Sequence, residues 1–354
     1  MKEKTLPTTR PVHPGLWDKI KDRLSIIGFN PLGLGLIIIL AFLPYVPPFN
    51  KEHILRWLIM GALFAAEAIA FDFTTGFINV VNFGFAAILG VGAYTSAILT
   101  NTSPVLALQP GLSPWIGIFA GGIVSGLLGL GLGIVTLRSR GTFAGIMCWF
   151  VGLALIGLAR NLTGLTRGPA GMAPAQLFNT SSNIPYYYVI LAMMLVVYIT
   201  LKLVTRSHIG LALRAIGQNW DAARASGINP TFYRVFNFTL SAFFAGWLGG
   251  FYAHYFSSLT PESVMHTSKT VEVLAIAYIG GRGSLWGGMV VAFPFIFFVE
   301  FIRSTWSELP GLHLVIYGLL MIIVMIFYPQ GVAGIYYALK EKISTWLRKG
   351  KAEL

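Results

Sequence analysis

The 354-residue chain is 55% hydrophobic and only 11% charged, whereas about a quarter of the residues in a soluble domain are charged. This excess of apolar surface excludes a soluble globular enzyme and predicts a protein built of membrane-spanning helices. The net charge of +12 does not indicate nucleic-acid binding, because membrane topology sorts the basic residues of such a protein.

Apolar runs predict about ten membrane-spanning helices, with eight as the lower bound and some of them short or broken. In chain order, the predicted spans are residues 32–49, 54–73, 77–99, 115–136, 141–160, 185–204, 235–257, 264–279, 285–302 and 312–329. The eighth is the least apolar, because its first half, VMHTSKTVEV, is polar. The predicted fold class is therefore an all-α polytopic membrane protein.

These spans divide the chain into three regions. Residues 1–31 are predicted to form a cytoplasmic segment with an amphipathic interfacial helix, residues 32–334 a transmembrane domain, and residues 335–354 a basic cytoplasmic helix. Both terminal helices are expected to lie on membrane lipid, and the alternative for each is a disordered charged tail. An even number of spans puts both termini on one side, together with 19 of the 25 Lys and Arg residues. The positive-inside rule makes that side cytoplasmic.

The third predicted span contains the stretch TGFINVVNFGFAAILGVGAY (75–94), in which polar residues and glycines interrupt the apolar run. Asn79, Asn82 and Gly84 lie at its start. A helix broken here would free backbone groups to bind a polar solute, such as a zwitterion, within the membrane. Close packing between helices explains the same residues equally well. Packing is the main expectation for GGIVSGLLGLGLG (121–133), whose glycines recur four residues apart.

Acidic residues within spans leave open a different class of protein, an ion-coupled secondary transporter. Glu67 and Asp72 lie toward the inner end of the second span, where interfacial pairing is the main expectation and a proton or sodium relay is the alternative. Glu300 and Arg303 are three residues apart and are predicted to pair. The six histidines lack ligand spacing and there is one cysteine, so the sequence predicts no metal site.

A long polar stretch, SHIGLALRAIGQNWDAARASGINP (207–230), interrupts the apolar runs. At helical spacing, Ile209, Leu213 and Ile216 share one face. Gly227 is expected to end the helical stretch, since glycine readily adopts a left-handed cap. The pattern predicts a short amphipathic helix on the cytoplasmic side, and periodicity alone equally allows a helical hairpin resting on the inner leaflet.

This stretch resembles the cytoplasmic coupling loop (205–234 in this chain) of importer permeases of the ATP-binding cassette class, and more closely that of branched-chain amino acid permeases of the LivM type. Further stretches resemble the same family in the same order: residues 75–94, TRGPAGM (166–172), GGRGSLWGGMVVAF (280–293) and YPQGVAGI (328–335). The likeness covers about residues 55–335 and depends on the order of the motifs. Phe85 departs from the family pattern, which often has His or Gln at this position.

The resemblance implies the permease subunit of an ATP-driven importer for branched-chain amino acids, with urea, short-chain amides or other amino acids as alternative cargo. It implies two separate ATPase subunits, a second permease subunit of the LivH type and an extracytoplasmic substrate-binding protein, in a bacterial or archaeal plasma membrane. The chain has no G-x-x-x-x-G-K-[ST] phosphate loop. We therefore expect no enzymatic activity and no cofactor in this chain, with ATP bound by the partners and no nucleic acid involved.

The resemblance also assigns candidate site residues. The ATPase-coupling residues are Ile209, Leu213, Arg214, Ile216, Asp221, Ala223 and Gly227. The solute-pathway residues are Asn79, Asn82, Gly84, Phe85 and Arg167. For Arg167, binding a carboxylate and lying in a plain loop turn made by Gly168 and Pro169 both remain open.

Overall fold

The computed structural model of the chain describes residues 31–47, 49–102, 108–139, 141–180, 182–305, 311–328 and 330–352. The interfacial helix predicted for the N-terminal segment lies outside these residues. The basic helix predicted for the C-terminal segment is present and begins slightly earlier, at Gly331.

Within these ranges the chain is almost entirely helical, and Met172 and Leu259 form an isolated β bridge. In chain order the helices are α1 (Pro31–Phe42), α2 (Glu52–Thr75), α3 (Phe85–Leu99), α4 (Pro114–Val135), α5 (Thr142–Asn161), α6 (Ile184–Arg206), α7 (His208–Gln218), α8 (Trp220–Ala225), α9 (Pro230–Phe256), α10 (Pro261–Met265), α11 (Thr267–Gly280), α12 (Trp286–Thr305), α13 (Leu312–Phe327) and α14 (Gly331–Ala352). Short helical turns lie at Leu43–Tyr45, Thr136–Arg138, Thr163–Thr166 and Gly168–Ala170.

Six stretches of the described chain are long and apolar enough to cross a membrane. They are Glu52–Thr75, Pro114–Arg138, Thr142–Asn161, Ile184–Arg206, Trp286–Thr305 and Gly318–Glu341. Helix α9 covers the predicted span 235–257 and has 27 residues, but its many aromatic and small residues make it less apolar than these six. The helical membrane architecture is confirmed, and the number of about ten spans stays a prediction.

Glycines bring α4 and α9 into close antiparallel contact. A Cβ added to Gly121 would collide with the backbone of Gly92 on α3, and one added to Gly129 would collide with Ala242 and the Phe238 carbonyl on α9. Because Gly121 and Gly129 have no side chains, α4 approaches α3 and α9 more closely than larger residues would allow. The packing role predicted for residues 121–133 is confirmed.

Helix α2 is the central helix of the fold. From residue 58 onward nearly all its side chains are buried, and they pack against α6, α9, α11 and α12. The peripheral helices α4, α5 and α13 instead expose large apolar side chains, such as Phe119, Phe143 and Ile326. An apolar exterior of this kind suits lipid as the solvent.

Candidate functional site

The buried chain between α2 and α3 is not helical. Helix α2 ends at Thr75 and α3 begins at Phe85, so residues 76–84 form a connection that we call the α2–α3 connection. Phe77 and Val80 of this connection are nonetheless buried. A helix continuous from residue 77 is therefore wrong, and the alternative of a broken helix is confirmed.

Two asparagines explain why the helix breaks here. Asn79 has φ 57°, in the left-handed region that Asn tolerates better than most residues. Asn82 is buried, and its Oδ1 accepts a hydrogen bond from the Gly84 backbone N–H at 3.1 Å. Such a local side-chain to backbone bond offers the chain an alternative to the helical ladder. Both predicted pathway asparagines thus shape the connection.

Neighbouring helices hold the α2–α3 connection through backbone contacts. A Cβ added to Gly145 of α5 would collide with the Val81 carbonyl, and one added to Gly217 of α7 would collide with the Phe77 carbonyl. The Arg214 guanidinium of α7 lies 5.2 Å from the centre of the Phe77 ring. The polar stretch therefore contacts the broken part of the membrane domain directly.

The loop after α11 closes on the same connection. The Asp72 carboxylate, at the end of α2, accepts hydrogen bonds from the Gly283 N–H at 2.7 Å and the Leu285 N–H at 3.1 Å. Arg282 donates to the Asn79 side-chain oxygen at 3.1 Å. The end of α2 with the α2–α3 connection thus meets the loop after α11, and two backbone amides of that loop bind the Asp72 carboxylate.

The other acidic residues also have defined neighbours. Glu300 pairs with Arg303 at 2.7 Å, as predicted. Glu67 lines a small enclosed space together with Phe85 and Lys269.

Phe85 is buried, and its ring packs edge-on against a phenylalanine of α2. The structure therefore places this predicted pathway residue in the core, away from the cavity described below.

The polar segment, residues 207–229, contains two short helices where the sequence predicted one. The Ser207 hydroxyl caps α7 by accepting from the Ile209 N–H, and the Asn219 side chain caps α8 by accepting from the Asp221 N–H. Asn219 therefore starts a new helix instead of continuing the first. Gly227 has φ 82°, which agrees with the predicted left-handed turn.

The apolar face of α7 is covered by its own chain. Leu213 and Ile216 are buried, and α7 packs against α6 and α9. Ile209 is half-buried and also contacts the core, and Ala223 of α8 is buried. Four of the residues predicted to couple to an ATPase therefore face inward, wholly or in part.

The exposed part of the polar segment has a different composition. Arg214, Asp221 and Gly227 are exposed, as docking requires. Leu211, on α7, is 67% exposed and was not among the predicted coupling residues. In the sequence, Leu211 is a leucine on the otherwise polar face of the predicted helix, and this pattern could have indicated an exposed apolar residue.

The TRGPAGM motif forms a turn that packs beside α10. Gly168–Ala170 is a short helical turn, which confirms the predicted loop turn, and it contacts α10. The β bridge of Met172 with Leu259 anchors the end of the turn. Arg167 is exposed on this turn, and its binding of a carboxylate stays a prediction.

A cavity of about 130 Å³ lies between the start of α3, the inner face of α5 and the junction of α10 with α11. We call it the α5 cavity. Its lining residues are Phe83, Gly84, Ala87, Trp149, Gly152, Leu153, Ile156, Arg160, Met265, His266 and Thr267. Of the predicted pathway residues, Gly84 is the one that lines it. Arg160 and the residues of α10 and α11 were missed as pathway candidates, because contacts between distant helices leave no local pattern.

The described chain has the helical architecture of a membrane protein. Residues 53–325 match the family described as "Branched-chain amino acid transport system / permease component". This match extends over more than half of the chain, and the chain therefore belongs to that family of ATP-binding cassette transporter permeases.

Three relatives illustrate the similarity. The chain is 26% identical over 300 residues to the high-affinity branched-chain amino acid transport system permease protein LivM of Salmonella typhimurium, covering 77% of this chain and 68% of the relative. It is 26% identical over 284 residues to LivM of Escherichia coli strain K12, covering 72% and 64%. It is also 23% identical over 254 residues to the nucleoside ABC transporter permease protein NupC of Lactococcus lactis, covering 66% and 76%. The chain thus spans about two thirds of the length of the LivM proteins, and no solved structure matches it.

Proposed function

We propose that the chain is a permease subunit of an ATP-driven importer of branched-chain amino acids, and that its polar segment transmits motion from separate ATPase subunits. The observation that supports this most is the contact of α7 with the α2–α3 connection. Gly217 lies against the Phe77 carbonyl, and Arg214 lies over the Phe77 ring.

The burial pattern supports α7 as a transmitting element. Its inner face, with Leu213 and Ile216, is packed against α6 and α9, so α7 moves together with these helices. Its outer face, with Leu211 and Arg214, is exposed and available to an ATPase groove. Packed backbone contacts have no flexible side chain to absorb a displacement. A displacement of α7 is therefore transmitted to the α2–α3 connection. Helix α3 starts where this connection ends, and Gly84 of the connection lines the α5 cavity.

The family resemblance supports the rest of the machine. Two ATPases, a second permease subunit of the LivH type and an extracytoplasmic binding protein complete it, in a bacterial or archaeal plasma membrane with both chain termini in the cytoplasm. The chain itself holds no cofactor and hydrolyses nothing. Solute enters from the binding protein and leaves on the cytoplasmic side when the ATPases close and reopen.

A nucleoside is a second candidate cargo, because the relative NupC is named as a nucleoside permease. The α5 cavity, at 130 Å³, is close to the roughly 150 Å³ of a cavity that holds benzene, so it has room for one apolar group of a solute. The amino acid is preferred because two of the three relatives are named as branched-chain amino acid permeases. An ion-coupled transporter loses one of its two candidate acids, because the Asp72 carboxylate is already bound by two backbone amides, and Glu67 is left as its candidate.

Reconstitution tests the proposed function. The chain is placed in proteoliposomes with its partner permease, ATPases and binding protein, and uptake of leucine, urea, glutamate and uridine is measured with and without ATP. We expect ATP-dependent leucine uptake that requires every component. Accumulation by this chain alone under an ion gradient would contradict the proposal, and ATP-dependent uptake of uridine or urea without leucine uptake would change the cargo.

A further inference from the structure

We propose that the α5 cavity is a solute subsite that holds the side chain of an aliphatic amino acid, while Arg160 and Glu262 at its edge bind the carboxylate and the ammonium group. The inference rests on the proposed function and assigns to it a place and a set of contacts.

The volume and the walls of the cavity suit an aliphatic side chain. Its 130 Å³ corresponds to roughly four waters at about 30 Å³ each, or to a ligand near the size of benzene. The deeper wall is apolar and buried, with Ala87, Ile156 and Met265. Leu153 and Trp149 continue the wall toward the surface, where both are exposed. An aliphatic side chain that occupies this space therefore contacts apolar side chains from α3, α5 and α10.

A pair of opposite charges lies at one edge of this apolar space. Arg160, at the end of α5, lines the cavity and donates through Nε to the Glu262 carboxylate at 2.7 Å. The two side chains are 47% and 54% exposed. An exposed pair of this kind adds little to stability, so stability does not explain its position. A zwitterion offers one partner to each member of the pair, through charge-assisted hydrogen bonds.

The fold holds Glu262 firmly relative to the cavity. Helix α10 starts with a capping box, in which Thr260 and Ser263 bind each other's backbone N–H groups. The β bridge of Met172 with Leu259 fixes the residue just before that box. A carboxylate on a locally fixed backbone loses less entropy when it binds a ligand than one on a mobile loop.

The remaining polar groups of the cavity have partners of their own. The Trp149 indole N–H donates to the Thr267 hydroxyl at 3.2 Å, and His266 accepts from the Ser268 N–H as the cap of α11. The Arg160–Glu262 pair differs from these groups, because both of its members carry a charge and both are about half exposed at the cavity edge. Gly84, which ends the α2–α3 connection, forms the opposite wall. Displacement of the connection by α7 would therefore change the shape of the subsite.

A cysteine-protection experiment tests whether leucine occupies the cavity. The assembled importer is used in proteoliposomes without binding protein, so that leucine reaches the permease directly. Leu153→Cys places a thiol on the cavity wall, and Leu158→Cys places one on an exposed part of the same helix outside the cavity. The native Cys148 is buried, so the unmodified chain supplies the background rate. The probe is a small water-soluble thiosulfonate.

We expect L-leucine to slow modification of Leu153→Cys by the factor 1 + [L]/Kd, about threefold at twice its Kd. Modification of Leu158→Cys should not respond to leucine. His266→Cys, at the cavity edge, serves as a second thiol position if Leu153→Cys does not assemble. Uptake is measured in parallel with binding protein and ATP supplied. If the unmodified importer takes up leucine there but neither thiol is protected, the subsite is overturned and the proposed function stands. If the unmodified importer with its binding protein and ATP takes up no leucine, the proposed function and the subsite fall together.

A second set of variants tests the charges. Arg160→Gln should raise the leucine concentration for half-protection about tenfold, since a charge-assisted hydrogen bond is lost. Arg303→Gln breaks a comparable exposed pair with Glu300 on α12 and should leave half-protection unchanged.

The double variant Arg160→Glu with Glu262→Arg separates solute binding from a structural role of the pair. It restores an ion pair but places each charge opposite the wrong group of the solute. We expect protection to remain weak in this double variant. Recovery of normal protection would show that the pair only holds α5 to α10, and would overturn its assignment to the solute.

Discussion

Helices α2 and α5 are both long and apolar enough to span a membrane, yet they have opposite positions in the protein. Helix α2 is enclosed by other helices, and the fold itself uses the hydrogen-bonding capacity of Asp72. Helix α5 is covered on one side only, and the residues on that side are mostly small, with Ala144, Cys148 and Gly152 one turn apart. These small residues let the α2–α3 connection approach α5 closely, since a Cβ added to Gly84 would collide with the Cys148 carbonyl. The enclosed helix is thus part of the scaffold, and the half-covered helix forms one wall of the α5 cavity.

The largest expected effect concerns the scaffold. Asp72→Leu leaves the buried N–H groups of Gly283 and Leu285 without their acceptor, which should destabilise the protein by roughly 3 kcal/mol. Asp72→Asn keeps one acceptor oxygen and should lose less. Thermal unfolding of the purified protein in detergent measures both. Equal stability of Asp72→Leu and the unmodified chain would show that α2 does not depend on this contact.

The next effect concerns the link between the polar segment and the α2–α3 connection. Gly217→Ala adds a Cβ where the Phe77 carbonyl lies, so we expect ATP-dependent uptake to fall about tenfold, the equivalent of about 1.4 kcal/mol. Gly157→Ala on α5 is the matched control, because nothing lies near its added Cβ. Uptake is compared with ATPase co-purification, which should persist. Normal uptake by Gly217→Ala would remove the proposed route from α7 to the connection.

A smaller effect is expected where the polar segment meets the ATPase. Leu211→Ser removes the exposed leucine of α7 and should weaken ATPase binding about fivefold, the equivalent of about 1 kcal/mol. Leu213→Ser, on the buried face, should instead lower thermal stability. Titration of the ATPase against the detergent-solubilised permease measures the first, and thermal unfolding the second. Unchanged ATPase affinity in Leu211→Ser would mean that the outer face of α7 is not the docking surface.

The turn that ends the polar segment gives a comparable but less direct effect. Gly227 has φ 82°, so Gly227→Val strains the backbone by about 1 kcal/mol. Nothing lies near its added Cβ, and the loss therefore comes from backbone strain and not from a collision. We expect partial uncoupling, seen as ATP hydrolysis that no longer scales with uptake. Full coupling in Gly227→Val would show that the segment tolerates a different turn.

The smallest effect is expected for the surface pair of α12. Arg303→Gln should change the free energy of unfolding by less than about 0.5 kcal/mol, because exposed ion pairs contribute little. Uptake should not change. Only a loss of leucine protection in Arg160→Gln that exceeds the loss in Arg303→Gln counts as solute recognition. A large loss of stability in Arg303→Gln would show that α12 depends on this exposed ion pair.

The sequence by itself determined the helical membrane class and the polar segment, because apolar length, side-chain caps and turn-forming residues act over a few neighbouring positions. For the stretch at Asn79 and Asn82 it allowed both a broken helix and close packing between helices, and the structure shows the break. Only the tertiary structure decided which face of α7 is covered, since an apolar helix face packs equally well on its own chain or on a partner. It also decided that Arg160 meets Glu262, 102 residues away. Such contacts depend on how helices pack in three dimensions, and neither residue has a local pattern that indicates the other.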